Sequence, residues 1–322
     1  MDSKVICLGE ALIDFVPLER GLALKEVTHF KRCSGGAPGN LAAAVARQNK
    51  KAVLCAMVGN DPFGDFIIEE LKASRVDVSS IVRSDKRKTA LAFVSLTKEG
   101  ERDFSFYLKG SAVYSYCQSD LPLDIFNEND ILHFGSVGLL ENPLKDTHKI
   151  AVSEAKKKKM IISFDPNLRN SIYGDDKKLR KRVIGFLGEA DIVKVSIEEL
   201  QFILEESDEE KAIAAFFASY PCKVLLISRG PKGSTLYTRT KRIDAMAYHA
   251  KVVDTTGAGD SFYGGFLSQI LGKVTSATLE DTTLYSSALE YGSALASLAV
   301  EKEGALPMPG HDEVEERIKR GR

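Results

Sequence analysis

Residues 252–265, V-V-D-T-T-G-A-G-D-S-F-Y-G-G, narrow the folding options of this chain more than any other stretch. The β-branched pair Val252 and Val253 predicts the end of a strand. Beyond Gly257-Ala258-Gly259, the apolar residues Phe262, Tyr263, Phe266, Leu267, Ile270 and Leu271 recur at helical spacing, and Gly272 marks a natural stop. The loop therefore brings two glycines to a helix N-terminus, where outward N–H groups and the macrodipole favour an anion. Asp260 falls in or beside that first turn. It either caps the helix or accepts a proton from a group attacking the anion, and spacing alone leaves both open.

Much of the remaining chain alternates. Apolar runs at 4–9, 52–58, 131–135, 160–164, 191–195 and 224–228 predict strands, with helical patterns at 41–48, 63–75, 144–158 and 288–299. Such alternation argues for parallel β-α-β units and an α/β fold. One region breaks it: 89–97 and 102–108 predict consecutive antiparallel strands around the turn Lys98-Glu99-Gly100-Glu101. With strands at 12–17 and 27–33 they would form a four-stranded flap. Ser34-Gly35-Gly36-Ala37-Pro38-Gly39-Asn40 is strong punctuation before a helix. Backbone bare of side chains there admits a ligand closely, and Asn40 offers both donor and acceptor.

In open α/β sheets ligands bind beyond the carboxyl ends of the strands. Those ends carry Asp14, then Asp165-Pro166-Asn167-Leu168-Arg169, then Lys194 with Ser196 and Glu199, and the turn Gly230-Pro231-Lys232-Gly233. Structural roles compete at each: a loop cap at Asp14, an acid pair for Arg169, a plain hairpin turn at Gly230 and Gly233. Phe104, Phe106 and Tyr107 could pack on a sugar-like ring face or simply in a core.

The octet Asp254-Thr255-Thr256-Gly257-Ala258-Gly259-Asp260-Ser261 closely resembles the C-terminal signature of the ribokinase-like (PfkB) carbohydrate kinases. Gly35-Gly36 followed by Asn40 resembles their N-terminal signature, more than two hundred residues earlier and in the right order. G-E-A-L-I-D-F, V-G-N-D-P-F-G and D-P-N-L-R look most like the fructokinase branch. The resemblance implies a three-layer ribokinase-like fold, a central mostly parallel sheet flanked by helices. It implies one kinase domain over 1–322, with a small β-sheet lid from about 12–34 and 88–112.

The same resemblance implies the chemistry. The amides of Gly257, Ala258 and Gly259 would hold the transferring phosphoryl group, Arg169 would share its charge, and Asp260 would accept the sugar hydroxyl proton. Asp14 would hydrogen-bond two sugar hydroxyls, with Gly35, Gly36, Asn40 and Tyr107 around the sugar. Lys194, Ser196, Gly230, Gly233 and Gly304 would contact ATP, and Glu199 would organise Mg²⁺ through water. Asp254 and Thr256 flank a loop that would hold K⁺. The expected reaction is phosphorylation of D-fructose at its 6-hydroxyl, by a homodimer joined through the lids. The alternatives are a 2-keto-3-deoxygluconate kinase, against which Leu108 counts where many relatives carry Arg, and a non-catalytic kinase-like regulator. Intact Gly-Ala-Gly and Asp260 count against the latter.

Charge and composition exclude other classes. Lys+Arg 44 against Asp+Glu 45 gives −1, so no basic field favours nucleic acid or an anionic membrane. No apolar run approaches membrane-spanning length, and the start M-D-S-K-V-I-C-L-G-E is too short an apolar stretch for a signal peptide, so a cytoplasmic protein is expected. Five cysteines are dispersed without a C-x-x-C pair, and no zinc site is expected; Cys7, Cys55 and Cys222 read as small buried hydrophobes.

Overall fold

The computed structural model describes residues 3–19, 21–96, 102–169, 172 and 174–321. The turn expected at Lys98, Glu99, Gly100 and Glu101 lies outside these residues, as does the side chain of Phe104. Near-continuous apolar strands need cover on both faces, as parallel sheets do. They form the first sheet: β1 (Lys4–Leu8), β4 (Lys51–Gly59), β5 (Ile81–Ser84), β8 (Ile131–Gly135), β9 (Ile161–Asp165), β10 (Ile192–Ser196) and β11 (Val224–Ser228). These strands pair in parallel, and β12 (Ser234–Tyr237) and β13 (Arg242–Ala245) extend the edge antiparallel. The order is β13-β12-β11-β10-β9-β8-β1-β4-β5. It runs outward in opposite senses from the β1–β8 boundary, which is the switch point where a crevice opens.

Alternating side chains of these strands feed two cores. Val5, Cys7, Leu54 and Ala56 pack with α1 (Ala37–Ala46), α7 (Ala258–Ile270) and α8 (Tyr285–Ala299). Ile6, Leu8, Val53 and Cys55 pack with α3 (Pro143–Lys157), α4 (Asp176–Leu187), α5 (Ile197–Leu204) and α6 (Glu209–Ser219). Cys7, Cys55 and Cys222 are all buried, as their apolar surroundings predict. Among the described residues no helix is long and apolar enough to cross a membrane. Two further helices are α2 (Pro62–Ala73) and α9 (His311–Arg320).

The apolar face predicted for α7 is buried throughout. Glycines seat this helix: a Cβ on Gly265 would stand 2.9 Å from the Gly292 Cα, and one on Gly292 2.5 Å from the Phe262 carbonyl oxygen. The α7 and α8 backbones therefore touch, which fixes the N-terminus of α7 over the ends of β9 and β10.

The second sheet has four strands in the order β3-β2-β6-β7: β2 (Leu12–Pro17), β3 (Phe30–Gly35), β6 (Ala90–Leu96) and β7 (Arg102–Tyr107). Its central pair β2–β6 is parallel and its outer pairs are antiparallel. Only Gly9, Glu10 and Ala11 separate β1 from β2, so the two sheets are joined at the crevice.

Several boundaries differ from the sequence expectation. The strand predicted at Val252 and Val253 does not form: regular structure stops at Ala245, and the two valines are 61% and 43% exposed. Their β-propensity has no neighbouring strand to pair with, since the Val253 N–H goes to the carbonyl of Val300 at the end of α8. Helix α1 starts at Ala37 rather than 41, because Pro38 suits a first turn. Strand β3 starts at Phe30 rather than 27, after a short 3₁₀ turn at Leu24–Glu26.

Candidate active site

Two cavities meet at the N-terminus of α7. The first, about 330 Å³, is polar and includes Glu10, Asp14, Asn40, Arg169, Lys194 and Asp260 in its lining. The second, about 530 Å³, is mostly apolar, with Tyr248, Phe262, Ala296 and Val300 among its walls. Thr255, Ala258 and Gly259 line both. The loop singled out by its sequence is thus the partition between a charged chamber and an apolar one.

Gly257 takes the left-handed conformation (φ 72°) and α7 begins at Ala258, which puts Asp260 in the first turn. The first N–H groups of a helix lack intrahelical acceptors. The Ala258 N–H instead donates to the Thr255 carbonyl at 3.2 Å, which leaves the Gly257 and Gly259 amides as the better-disposed anion donors. A Cβ on Gly259 would lie 3.1 Å from Lys194 Nζ, so that ammonium stands directly against the loop.

Asp260 is buried, and Asn40 Nδ2 donates to its Oδ2 at 2.8 Å. Burial pushes the Asp260 carboxyl up, while that hydrogen bond and the charges of Lys194 and Arg169 restrain the rise. Lys194 pairs at 2.8 Å with Asp165, itself buried. Burial works against the ammonium, but Asp165, Glu199 and Asp260 together hold it above the ordinary lysine range. Burial raises the Asp165 carboxyl, and the nearby Lys194 charge opposes it.

The sugar-side residues come together at the join of the two sheets. Asp14, on β2, is buried against Gly35: a Cβ there would stand 2.3 Å from Asp14 Oδ2. Gly36 (φ 108°) is equally constrained, since a Cβ would meet the Glu10 carbonyl oxygen at 2.4 Å. Both glycines are needed for close approach. Glu10, which the sequence reading passed over, lines the chamber beside Asp260, and its Oε1 accepts the Ala37 N–H at 3.2 Å. Burial pushes its carboxyl up to about 7.

Some of the other expected site residues are engaged elsewhere. Tyr107 is 61% exposed and sits edge-on to Phe93 on the outer face of the small sheet. Side chains alternate along a strand, so Phe106 lines the chamber in its stead. Ser196 lines neither cavity: its Oγ accepts the Glu199 N–H at 3.1 Å, and Glu199 Oε2 accepts the Ser196 N–H at 2.8 Å. This reciprocal pair is a capping box. The other Glu199 oxygen takes the Leu168 N–H at 2.6 Å, bracing the loop that carries Arg169. Gly304 donates its N–H to Asp254 Oδ2 at 2.9 Å, and Asp254 Oδ1 takes the Thr256 N–H and hydroxyl at 2.7 and 2.6 Å. Asp254 thus ties two loops together, and Thr256 lines the polar chamber. Gly230 and Gly233 line the apolar one.

A charged chamber and an apolar chamber, joined at a helix N-terminus with a buried carboxylate, can hold two substrates and move a charged group between them. Comparison with known proteins identifies the family. The pfkB family carbohydrate kinase profile matches residues 2–310. A protein of Arabidopsis thaliana named "Probable fructokinase-6, chloroplastic" is 36% identical over 318 residues, covering 98% of this chain and 82% of its own length. The fructokinase of Vibrio cholerae O395, solved with fructose, ADP and calcium ion, superposes with a TM-score of 0.86 at 30% identity, covering 98% of each chain. The fructokinase of Xylella fastidiosa with bound ATP gives a TM-score of 0.88 at 31% identity, covering 99% of each.

Proposed function

Because this chain belongs to the pfkB family of carbohydrate kinases, we propose that it transfers the γ-phosphoryl group of ATP to the 6-hydroxyl of D-fructose. The observation that carries the proposal is Asp260, a buried carboxylate oriented by Asn40 where the two chambers join. Fructose occupies the polar chamber, with Asp14 accepting its hydroxyls. The base and ribose of ATP occupy the apolar chamber past Gly230 and Gly233. The phosphates then run along the loop at Thr255, Ala258 and Gly259.

Asp260 takes the 6-hydroxyl proton as that oxygen bonds the γ-phosphorus. The bond from phosphorus to the β,γ-bridging oxygen breaks, leaving ADP and fructose 6-phosphate. Phosphoryl transfer is chiefly positioning and electrostatic stabilisation. The Gly257 and Gly259 amides, Lys194 and Arg169 supply that stabilisation from one side of the chamber. Asp165 and Glu199 bring enough carboxylate charge near Lys194 to suit Mg²⁺ held through its water shell. Bound there, Mg²⁺ would neutralise phosphate charge. K⁺ would sit by the loops that Asp254 joins, near Thr256.

On the outer face of the small sheet Phe15 stacks on Phe93, Phe30 meets both edge-on and Tyr107 meets Phe93 edge-on, with Leu18 65% exposed nearby. An apolar face of this kind supports a homodimer, and sedimentation as a monomer at micromolar concentration would remove that part of the proposal.

The test is an ADP-release panel with fructose, 2-keto-3-deoxygluconate, ribose and nucleosides, run in sodium and in potassium buffers. Fructose should give the highest kcat/KM, with phosphorus NMR identifying the 6-phosphate, and potassium should raise the rate. Inactivity on every sugar would overturn the assignment, and equal rates in the two buffers would remove K⁺.

A further inference from the structure

The apolar chamber has one wall without regular structure. Between the end of β13 at Ala245 and the loop at Asp254, residues 246–253 make neither strand nor helix, yet Ala247, Tyr248, His249, Ala250 and Val252 all line the chamber. The opposite wall is the rigid helix α8, through Ser293, Ala296, Ser297 and Val300. No ladder of strand hydrogen bonds fixes the spacing between these walls. The backbone ties the walls at one end, where the Val253 N–H meets the Val300 carbonyl at 2.8 Å, and side chains tie them elsewhere.

Arg317 on α9 is the principal one. Its Nη1 donates to the His249 carbonyl at 3.1 Å and to Ser297 Oγ at 3.2 Å, so a single guanidinium nitrogen touches both walls. Its Nη2 donates to Glu301 Oε2 at 2.7 Å. Glu301 Oε1 in turn accepts the Lys251 N–H at 3.2 Å, which pins the same irregular wall two residues on. The Arg317 side chain is 17% exposed and lies outside the chamber lining. Tyr248, within the irregular wall, also donates its hydroxyl to Glu290 of α8 at 3.1 Å. A planar guanidinium fork suits this task, because its donors are fixed relative to one another and reach several acceptors at once. An ammonium in its place would reach fewer.

We infer that Arg317 and Glu301 form a clamp that sets the width of the apolar chamber and thereby its affinity for the purine nucleotide, making both positioning residues for nucleotide binding. This rests on the assignment of that chamber to ATP. The clamp touches no reacting atom, so it acts on nucleotide affinity and leaves turnover and sugar affinity alone. It also gives the C-terminal helix, which lies outside both chambers, a task in the site.

Calorimetric titration of the full chain with ADP tests this directly. Arg317→Ala should raise the ADP Kd on the order of 10-fold, with kcat at saturating ATP and the fructose KM within about twofold of wild type. Arg317→Lys and Glu301→Gln should fall between, which keeps the test open if the alanine variant folds poorly. Lys302→Ala is the control: it removes the Lys302–Glu313 pair that also holds α9, without touching either wall. An unchanged ADP Kd in all three clamp variants overturns the clamp. So does a Lys302→Ala rise equal to that of Arg317→Ala, which would trace the effect to helix docking. Failure of the wild type to bind ADP would overturn the chamber assignment and the clamp with it, whereas tight ADP binding by wild type and variants alike overturns the clamp alone.

Discussion

The two chambers differ in how they recognise what they hold. The polar one is built from charged and amide groups whose positions depend on one another: Asn40 on Asp260, Lys194 on Asp165, Asp14 on Gly35. The apolar one is lined by small and aromatic side chains, glycines and backbone, with its charged residues set behind the walls. Hydrogen-bonded sites reject wrong partners strongly, because a mismatch leaves buried polar groups unpaired, whereas apolar pockets discriminate weakly. On the proposed assignment, stringent selection falls on the acceptor, and the donor has a pocket defined by its width.

The largest expected effect lies where the chambers meet. Asp260→Asn should lower kcat by about 10²–10⁴ while ADP binding stays close to wild type. Near-normal turnover would sink the base assignment. Next comes a change confined to the polar side. Gly35→Ala drives a methyl into the Asp14 carboxylate, so the fructose KM should rise on the order of 10-fold or more, with the ATP KM within about twofold. If both constants rose together, the chambers would not be the independent modules described.

The smallest effect is in pH. Glu10 is held near 7 in the folded chain and has an ordinary carboxyl pKa when unfolded. Between those values the folded state keeps a proton that the unfolded state has lost, so stability falls as pH rises from about 4.5 to 7. The full penalty above that window is about 3 kcal/mol. Urea unfolding at pH 5.5 and pH 8 should show Glu10→Gln gaining on wild type at the higher pH. A difference between the two proteins that does not move with pH would refute this. ADP affinity should be indifferent to the same substitution, which separates the two chambers again.

What the sequence disclosed follows the range of the forces involved. The strand–helix alternation and the two glycine signatures are local, because a glycine is demanded by its immediate backbone, and both glycine signatures fall at the site. Position on a strand face was harder. Tyr107 and Phe106 are equally plausible aromatics until pairing fixes which side faces the chamber, and one residue of parity decides it. Ser196 and Glu199 also carried a local structural signal, since Ser-x-x-Glu before an apolar run is the spacing of a capping box. Glu10 and Arg317 were out of reach. Their roles exist only once Ala37, His249 and Ser297, distant in the chain, have been brought beside them.

The small sheet joins the large one through the short crossings Gly9-Glu10-Ala11 and 85–89, and Gly35-Gly36 leads from it into α1. Glu10, Asp14 and the two glycines therefore stand at the root of the flap and not at its tip. In a lever, points near the pivot travel least. Any swing of the sheet about that root would carry its far end, at Pro17 and Phe30, through a wide arc and move Asp14 and Phe106, which pairing through Ala92 sets at one level, far less.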